Sequence, residues 1–192
     1  MNDDLRARNK QATREAIGRA ALGLALEQGP GGLALVRITD IADAAGVSPR
    51  TYNNYFSSRA EAICALQADQ ARRAGESLRA RPPGEPLREA VIAAMLDLYT
   101  DPDPDRAGLR MIMSTPELAG EALKAFSLAE APLADAIAAR TGAAGLAPQV
   151  IAAAVAGAVR VAGRHWLETG GPFAPVLREA LSCAVPAGSD VE

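Results

Sequence analysis

The stretch GVSPRTYNNYFSSR, Gly46 to Arg59, crowds a turn-forming glycine, tyrosines, a phenylalanine, asparagines and arginines into a chain otherwise rich in alanine and leucine. Ser48-Pro49 reads as a helix start, because a serine side chain caps free amides and proline fits the first helical position. That helix is brief and ends near Phe56. Upstream, Ile38 to Ala45 has helical spacing, and Gly46 interrupts it where a sharp turn requires a positive φ. Ala42 lets two helices approach closely, while Val47 and Tyr52 close a small core between them, the spacing of a helix-turn-helix. The same positions also suit an ordinary helical hairpin.

Working outward, Ile17, Ala20, Ala21, Leu24 and Leu26 mark a first helix over Thr13 to Gln28 that stops at GPGG, Gly29 to Gly32. Downstream, Ser58 and Glu61 have capping-box spacing and open a helix expected to run to about Arg79. After RARPPGEP, residues 79–86, helical segments are expected at Pro86 to Tyr99, Pro104 to Ser114, Pro116 to Arg140, Pro148 to Thr169 and Phe173 to Ala184. Asp103-Pro104 and Thr115-Pro116 each offer a cap followed by proline. With aromatics at 4% and no alternating β-branched pattern, the chain of 192 residues reads as all-α. A small N-terminal domain over 1–60 is expected before a larger helical domain over 61–192.

Composition narrows the function classes. The fractions of 49% hydrophobic and 22% charged residues suit a soluble globular protein. Cys64 and Cys183 stand apart without metal or disulfide spacing, His165 has no evident partner, and no Gly-rich phosphate loop appears. No cofactor, metal or catalytic residue is therefore expected. The N-terminus MNDDLRARNKQATREA lacks the apolar core of a signal peptide, so a cytoplasmic location is expected. The uncharged run Thr141 to Val159 carries Pro148, Gln149 and glycines, and reads as a buried helix rather than a membrane span. Net charge is −3. Residues 1–64 carry +1 and the remainder −4, so a DNA partner must be argued from where charges lie.

The stretch ITDIADAAGVSPRTYNNYFSSRAEAI, preceded by a basic arm and TREAIGRAALGLALEQG, resembles the N-terminal DNA-binding domain of the TetR family of bacterial transcriptional regulators. The residues in the family's slots are Ile41-Ala42, Ala45-Gly46-Val47-Ser48, Thr51, Tyr52, Asn53, Asn54, Tyr55, Phe56 and Arg59. The resemblance implies a three-helix helix-turn-helix domain, a C-terminal domain that binds a small effector and dimerises, and a homodimer on a partly palindromic double-stranded operator. It implies a repressor released by its effector, with no membrane partner. A family tyrosine is replaced by Asn53, a capping threonine by Arg37 and a lysine by Arg59, so base preference is expected to differ while backbone affinity is kept.

Arg50, Thr51 and Asn54 are the base-reading candidates, since arginine pairs bidentately with guanine and asparagine with adenine. Ser48, Pro49, Asn53, Tyr55, Arg37, Thr39 and Arg59 complete the expected DNA surface, with Arg6, Arg8, Lys10 and Arg14 as a basic arm. Met95, Tyr99, Met111, Met113, Phe126 and Trp166 are candidates for an effector pocket, with an apolar, elongated ligand expected. Ile151, Val155 and Val159 on one late helix, and Phe173, Val176, Leu177 and Leu181 on the last, are the dimer candidates. The alternatives are a DNA-binding dimer without an effector and, from another class, a small helical enzyme.

Overall fold

The computed structural model describes residues 2–29, 31–100 and 104–185, with side chains from Leu5 onward, and every regular element among them is a helix. In chain order these are α1 (Asn2–Glu27), α2 (Gly32–Leu35), α3 (Ile38–Ala44), α4 (Pro49–Tyr55), α5 (Arg59–Ile63), α6 (Ala65–Arg79), α7 (Leu87–Thr100), α8 (Arg106–Ser114), α9 (Pro116–Thr141), α10 (Leu146–Thr169) and α11 (Phe173–Ala184). The all-α expectation holds. Contacts divide the chain into two compact units, one of Met1–Ala68 with Arg110–Ala122, the other of Asp69–Leu109 with Leu123–Glu192. Pro30, in the break expected after the first helix, and Asp103, the cap expected before Pro104, lie outside the described residues.

In the first unit α1 packs against α2, α3 and α5, and α3 packs against α4. Ile17, Ala21, Ile41, Tyr52, Phe56, Ile63, Ile112 and Leu118 meet in its core. Gly46 has φ 68°, and the amide of Val47 donates to Ala42 O at 2.9 Å to close the turn between α3 and α4. A Cβ at Gly46 would meet open space, so backbone conformation rather than crowding calls for glycine there.

Several local details differ from the sequence expectation. The basic arm is the start of α1, which begins well before Thr13. Its arginines, lysine, glutamine and alanine favour helix enough to extend it. After the glycine-rich break the chain makes an extra turn, α2, beside α1, and a Cβ on Gly32 would lie 2.0 Å from Ala25 O. Ser58 Oγ does accept from the Glu61 amide at 3.0 Å, but the Glu61 carboxylate reaches Ser57, accepting from its amide and its hydroxyl at 2.8 Å each. The expected long helix after Ser58 is broken at Cys64, whose φ of −85° and ψ of 5° separate α5 from α6. Cys64 is buried with its thiol donating to Leu118 O, and burial, then the nearby Glu121 charge, push its pKa up to about 12.

In the second unit α11 packs on α10 and α7 around Leu87, Val91, Met95, Leu133, Ile137, Val155, Leu177 and Leu181. The α10–α11 corner needs Gly170 and Gly171, with φ of 81° and 78°. The Trp166 indole N–H donates to Gly171 O at 2.7 Å, and its ring lies 5.3 Å from that of Phe173 and 4.6 Å from the Arg106 guanidinium. Helix α10 is long and apolar enough to cross a membrane by length and composition, more so than the interrupted Thr141 to Val159 run suggested. One face of it, Ala152, Val155, Val159, Ala162 and Trp166, is packed into this unit's core.

Helices α6 and α9 approach closely where Gly75 faces Pro132. A Cβ at position 75 would lie 2.5 Å from Pro132 O, which also accepts from Arg79 at 3.2 Å. Pro132 has no N–H to give Leu128 O, and its carbonyl accepts from a donor outside its own helix. Gly75→Ala is expected to cost about 1–3 kcal/mol through overpacking. Gly120→Ala, at an open helical site, is expected to stabilise by up to about 1 kcal/mol. Thermal unfolding of both variants checks the pair, and equal shifts in Tm would remove the close approach as the cause.

Candidate nucleic-acid interface

Helix α4 is seven residues long, too short to be stable alone in water, so its neighbours must hold it. Ser48 caps its N-terminus, accepting from the Thr51 amide at 3.0 Å, and shares a 2.8 Å hydrogen bond with the Thr51 hydroxyl. On the inner face Tyr52 is fully buried, its hydroxyl donates to Ser58 O at 3.0 Å, and its ring packs 5.8 Å from that of Phe56. Burial, reinforced by the Glu61 charge, pushes the Tyr52 phenol up to about 12, so it remains a neutral donor.

Arg14 of α1 closes the other end. Its guanidinium lies 4.3 Å from the Phe56 ring centroid, donates to Tyr55 O at 3.1 Å and approaches the Glu61 carboxylate at 3.9 Å. A cation is favourable there because the last carbonyls of a helix lack internal partners. Arg59 is likewise built into the fold, donating to Val36 O at 2.8 Å and Ala34 O at 3.2 Å, the carbonyls that end α2.

The outer face is left polar. Pro49, Arg50, Asn53 and Asn54 are exposed on α4, with Thr51 and Tyr55 half-buried at its margins. Arg50, Asn53 and Asn54 follow i, i+3, i+4 spacing and so share one face. Arg37 and Thr39, with Asp40 accepting from the Thr39 hydroxyl at 3.3 Å, are exposed at the start of α3. Arg6, Arg8 and Lys10 are exposed on α1, whereas Arg14 is turned into the unit. Side chains able to pair bidentately with base edges are thus presented on a helix whose opposite face is locked.

In the second unit Met95, Tyr99 and Phe126 meet around a cavity of about 10 Å³, enough for the centre of one water. The other pocket candidates lie elsewhere: Met111 and Met113 fall in the Arg110–Ala122 segment of the first unit, and Trp166 is at the α10–α11 corner. Ala71, Ala74, Ala129, Glu130, Leu133 and Ala156 complete the wall with Val155 and Val159. The alanines carry no sequence signal. Glu130 did have one, as a charge at the spacing of Phe126, Ala129 and Leu133 on one apolar stripe of α9.

The dimer candidates Val155, Val159, Phe173, Leu177 and Leu181 are buried inside the chain's own second core, with Ile151 and Val176 packed partly against it. A different apolar surface remains exposed on α10, where Leu146, Val150 and Val161 are 74%, 62% and 46% accessible. His165 is also exposed on α10. Among the described residues no group of three His, Cys, Asp or Glu side chains gathers to hold a metal.

Residues 81–187 match the protein family described as the MftR C-terminal domain, one of the TetR C-terminal families. The HTH-type transcriptional regulator TcmR of Streptomyces glaucescens is 33% identical, the match taking in 84% of this chain and 76% of that protein. In fold, the chain resembles the fatty acid degradation regulator FadR from Bacillus halodurans, with TM-score 0.60 at 14% identity over 91% of this chain and 95% of that one. It also resembles a TetR-family regulator from a Rhodococcus species, with TM-score 0.57 at 20% identity over 90% and 96% of the respective chains.

The positions of the arginines separate two kinds of loss. Arg14→Ala is expected to destabilise by about 1–2 kcal/mol, since it removes a stacked cation and a hydrogen bond to a helix end. Arg50→Ala is expected to leave Tm within about 1 °C, as exposed surface changes do, while lowering affinity for duplex DNA. Melting and fluorescence anisotropy on the same preparations check both, and a matching fall in Tm for Arg50→Ala would contradict its placement.

Proposed function

We propose that this chain, which belongs to the TetR family of transcriptional regulators, is a cytoplasmic homodimeric repressor that a small-molecule effector releases from a partly palindromic operator. The observation that carries the DNA-binding half is the split of α4 into a locked inner face, Tyr52 with Phe56, and an exposed outer face, Arg50, Asn53 and Asn54. Arg50 and Asn54 read base edges in this account, while Ser48, Thr51, Asn53, Tyr55 and the α3 start at Arg37 and Thr39 contact phosphates or flanking bases. Arg6, Arg8 and Lys10 add backbone attraction from α1. No catalytic step is assigned to the chain.

The dimer is best supported by the outer face of α10. Leu146, Val150, Ala153, Gly157 and Val161 recur at helical spacing opposite the core face, and Gly157 has no neighbour within 4 Å of where its Cβ would be. A helix apolar on both faces has a second surface to cover, and a two-fold copy of itself covers it isologously. Val150→Glu combined with Val161→Glu is expected to convert dimer to monomer by sedimentation velocity and to abolish tight operator binding. A double variant that stays dimeric would move the interface elsewhere.

Effector binding belongs in the cavity lined by Met95, Tyr99 and Phe126. Helix α6 contributes Ala65 to the first unit's core and Ala71 and Ala74 to the cavity wall, and α9 contributes Leu118 and then Phe126, Ala129 and Leu133 in the same way. A ligand that repacks these helices thereby acts on elements that belong to both units. The population shifts toward a state whose α4 helices no longer fit successive major grooves. The small size of the cavity favours the second reading, a DNA-binding dimer that responds to no effector.

Selection from a random duplex library tests the first part. The enriched sites are expected to carry an inverted repeat, with half-sites separated by about one helical turn or a multiple. On such a duplex, an effector that lowers DNA affinity by a given factor has its own affinity lowered by the same factor when DNA is bound. Enrichment of no inverted repeat would overturn the two-fold operator, and a bound ligand with no reciprocal effect would leave the effector-free regulator.

A further inference from the structure

The cavity wall in the second unit is apolar except at Tyr99 and Glu130. Tyr99 is 8% exposed, and burial raises its phenol well above the ordinary tyrosine range, so it presents a neutral hydroxyl. Neither the Tyr99 hydroxyl nor the Glu130 carboxylate has a hydrogen-bond or ion-pair partner among the described residues. Glu130 sits on α9 in the stripe Phe126, Ala129, Glu130, Leu133, where the other members are apolar, and it is half-buried. A core stripe gains nothing from a carboxylate there, because desolvating one without a partner is costly. The same group gains strongly from an ammonium, since charge-assisted hydrogen bonds are roughly twice as strong as neutral ones.

We propose that the effector is an apolar molecule carrying one ammonium group, its body against Met95, Phe126 and Val159 and its cation on Glu130, with the Tyr99 hydroxyl as the second polar contact. The inference rests on the reading that this cavity is the effector site. A carboxylate-bearing ligand would set like charge against Glu130, and a neutral one would leave Glu130 desolvated and unpaired. Room for the body comes from rotation of Met95 and Phe126, since methionine adapts its shape readily. The partial exposure of Glu130 puts the cation at the mouth, where it loses least hydration.

The test uses isothermal titration calorimetry on the full chain with phenylbutylamine, cationic at neutral pH, and phenylbutanol, its neutral counterpart. The amine is expected to bind about tenfold or more tightly than the alcohol. Glu130→Gln, nearly isosteric and at a half-buried site, is expected to erase that preference, weakening the amine and strengthening the alcohol, which no longer leaves a carboxylate unpaired. Equal Kd values for the two probes, a preference that survives Glu130→Gln, or binding of neither probe at millimolar concentration each overturn the proposal. Ala129→Leu and Ala156→Leu, which fill the wall, are expected to abolish both. If they bind both probes as the wild type does, the cavity is not the effector site and the wider reading fails with it. If they lose the alcohol but the wild type shows no amine preference, only the ligand class fails.

Discussion

A helix of seven residues presents the polar face on which DNA recognition rests, and its position depends on the buried Tyr52–Phe56 pair. Isolated helices of that length do not persist in water. The pair replaces propensity with packing: one ring is sealed in the core with its hydroxyl bonded to Ser58 O, and the other lies under the Arg14 guanidinium. Arg14 also takes the Tyr55 carbonyl, so α1, α4 and the start of α5 are joined at one point. Without that junction Arg50, Asn53 and Asn54 have no defined direction, and groups that read base edges need one.

The second unit solves a different problem. Its helices are rich in alanine and glycine, so they approach closely, as Gly75 does against the Pro132 carbonyl. Close approach gives many small dispersion contacts and leaves little empty space. The polar backbone at its corners is satisfied by specific donors: Trp166 on Gly171, Arg106 on the Trp166 carbonyl, and Arg140 on the carbonyls of Pro82 and Glu85. With alanine as the commonest wall residue, a change in helix spacing is the way such a core makes room.

The order of turn, cap and aromatic residues from Gly46 to Phe56 made α3 and α4 legible in the sequence, because each position has a local cause: positive φ, N-cap, first-turn proline, buried ring. The inward-turned Arg14 was not legible, since a basic run near a chain terminus has the same sequence appearance whether its cations face solvent or a ring. The break at Cys64 had no glycine or proline to announce it. The apolar stripe on α10 could have faced a partner or the chain's own core, because helical spacing shows that a face is apolar and not what covers it. Val155, Val159 and Leu177 went to the core, which left the weaker pattern of Leu146, Val150 and Val161 outside.

The nearly filled cavity constrains how an effector could act. A ligand entering a preformed space without moving its walls would have the same contacts in both states of the protein, and equal affinity for both shifts nothing. In a cavity that admits only one water, binding must displace Met95, Phe126 or the helices that carry them. That displacement lowers apparent affinity by the fraction of molecules already open. It also makes binding specific to the open state, which is the differential a switch requires. Glu130 bears on the same balance: unpaired in the closed state and paired in the bound one, it adds to the preference for the open arrangement instead of contributing equally to both.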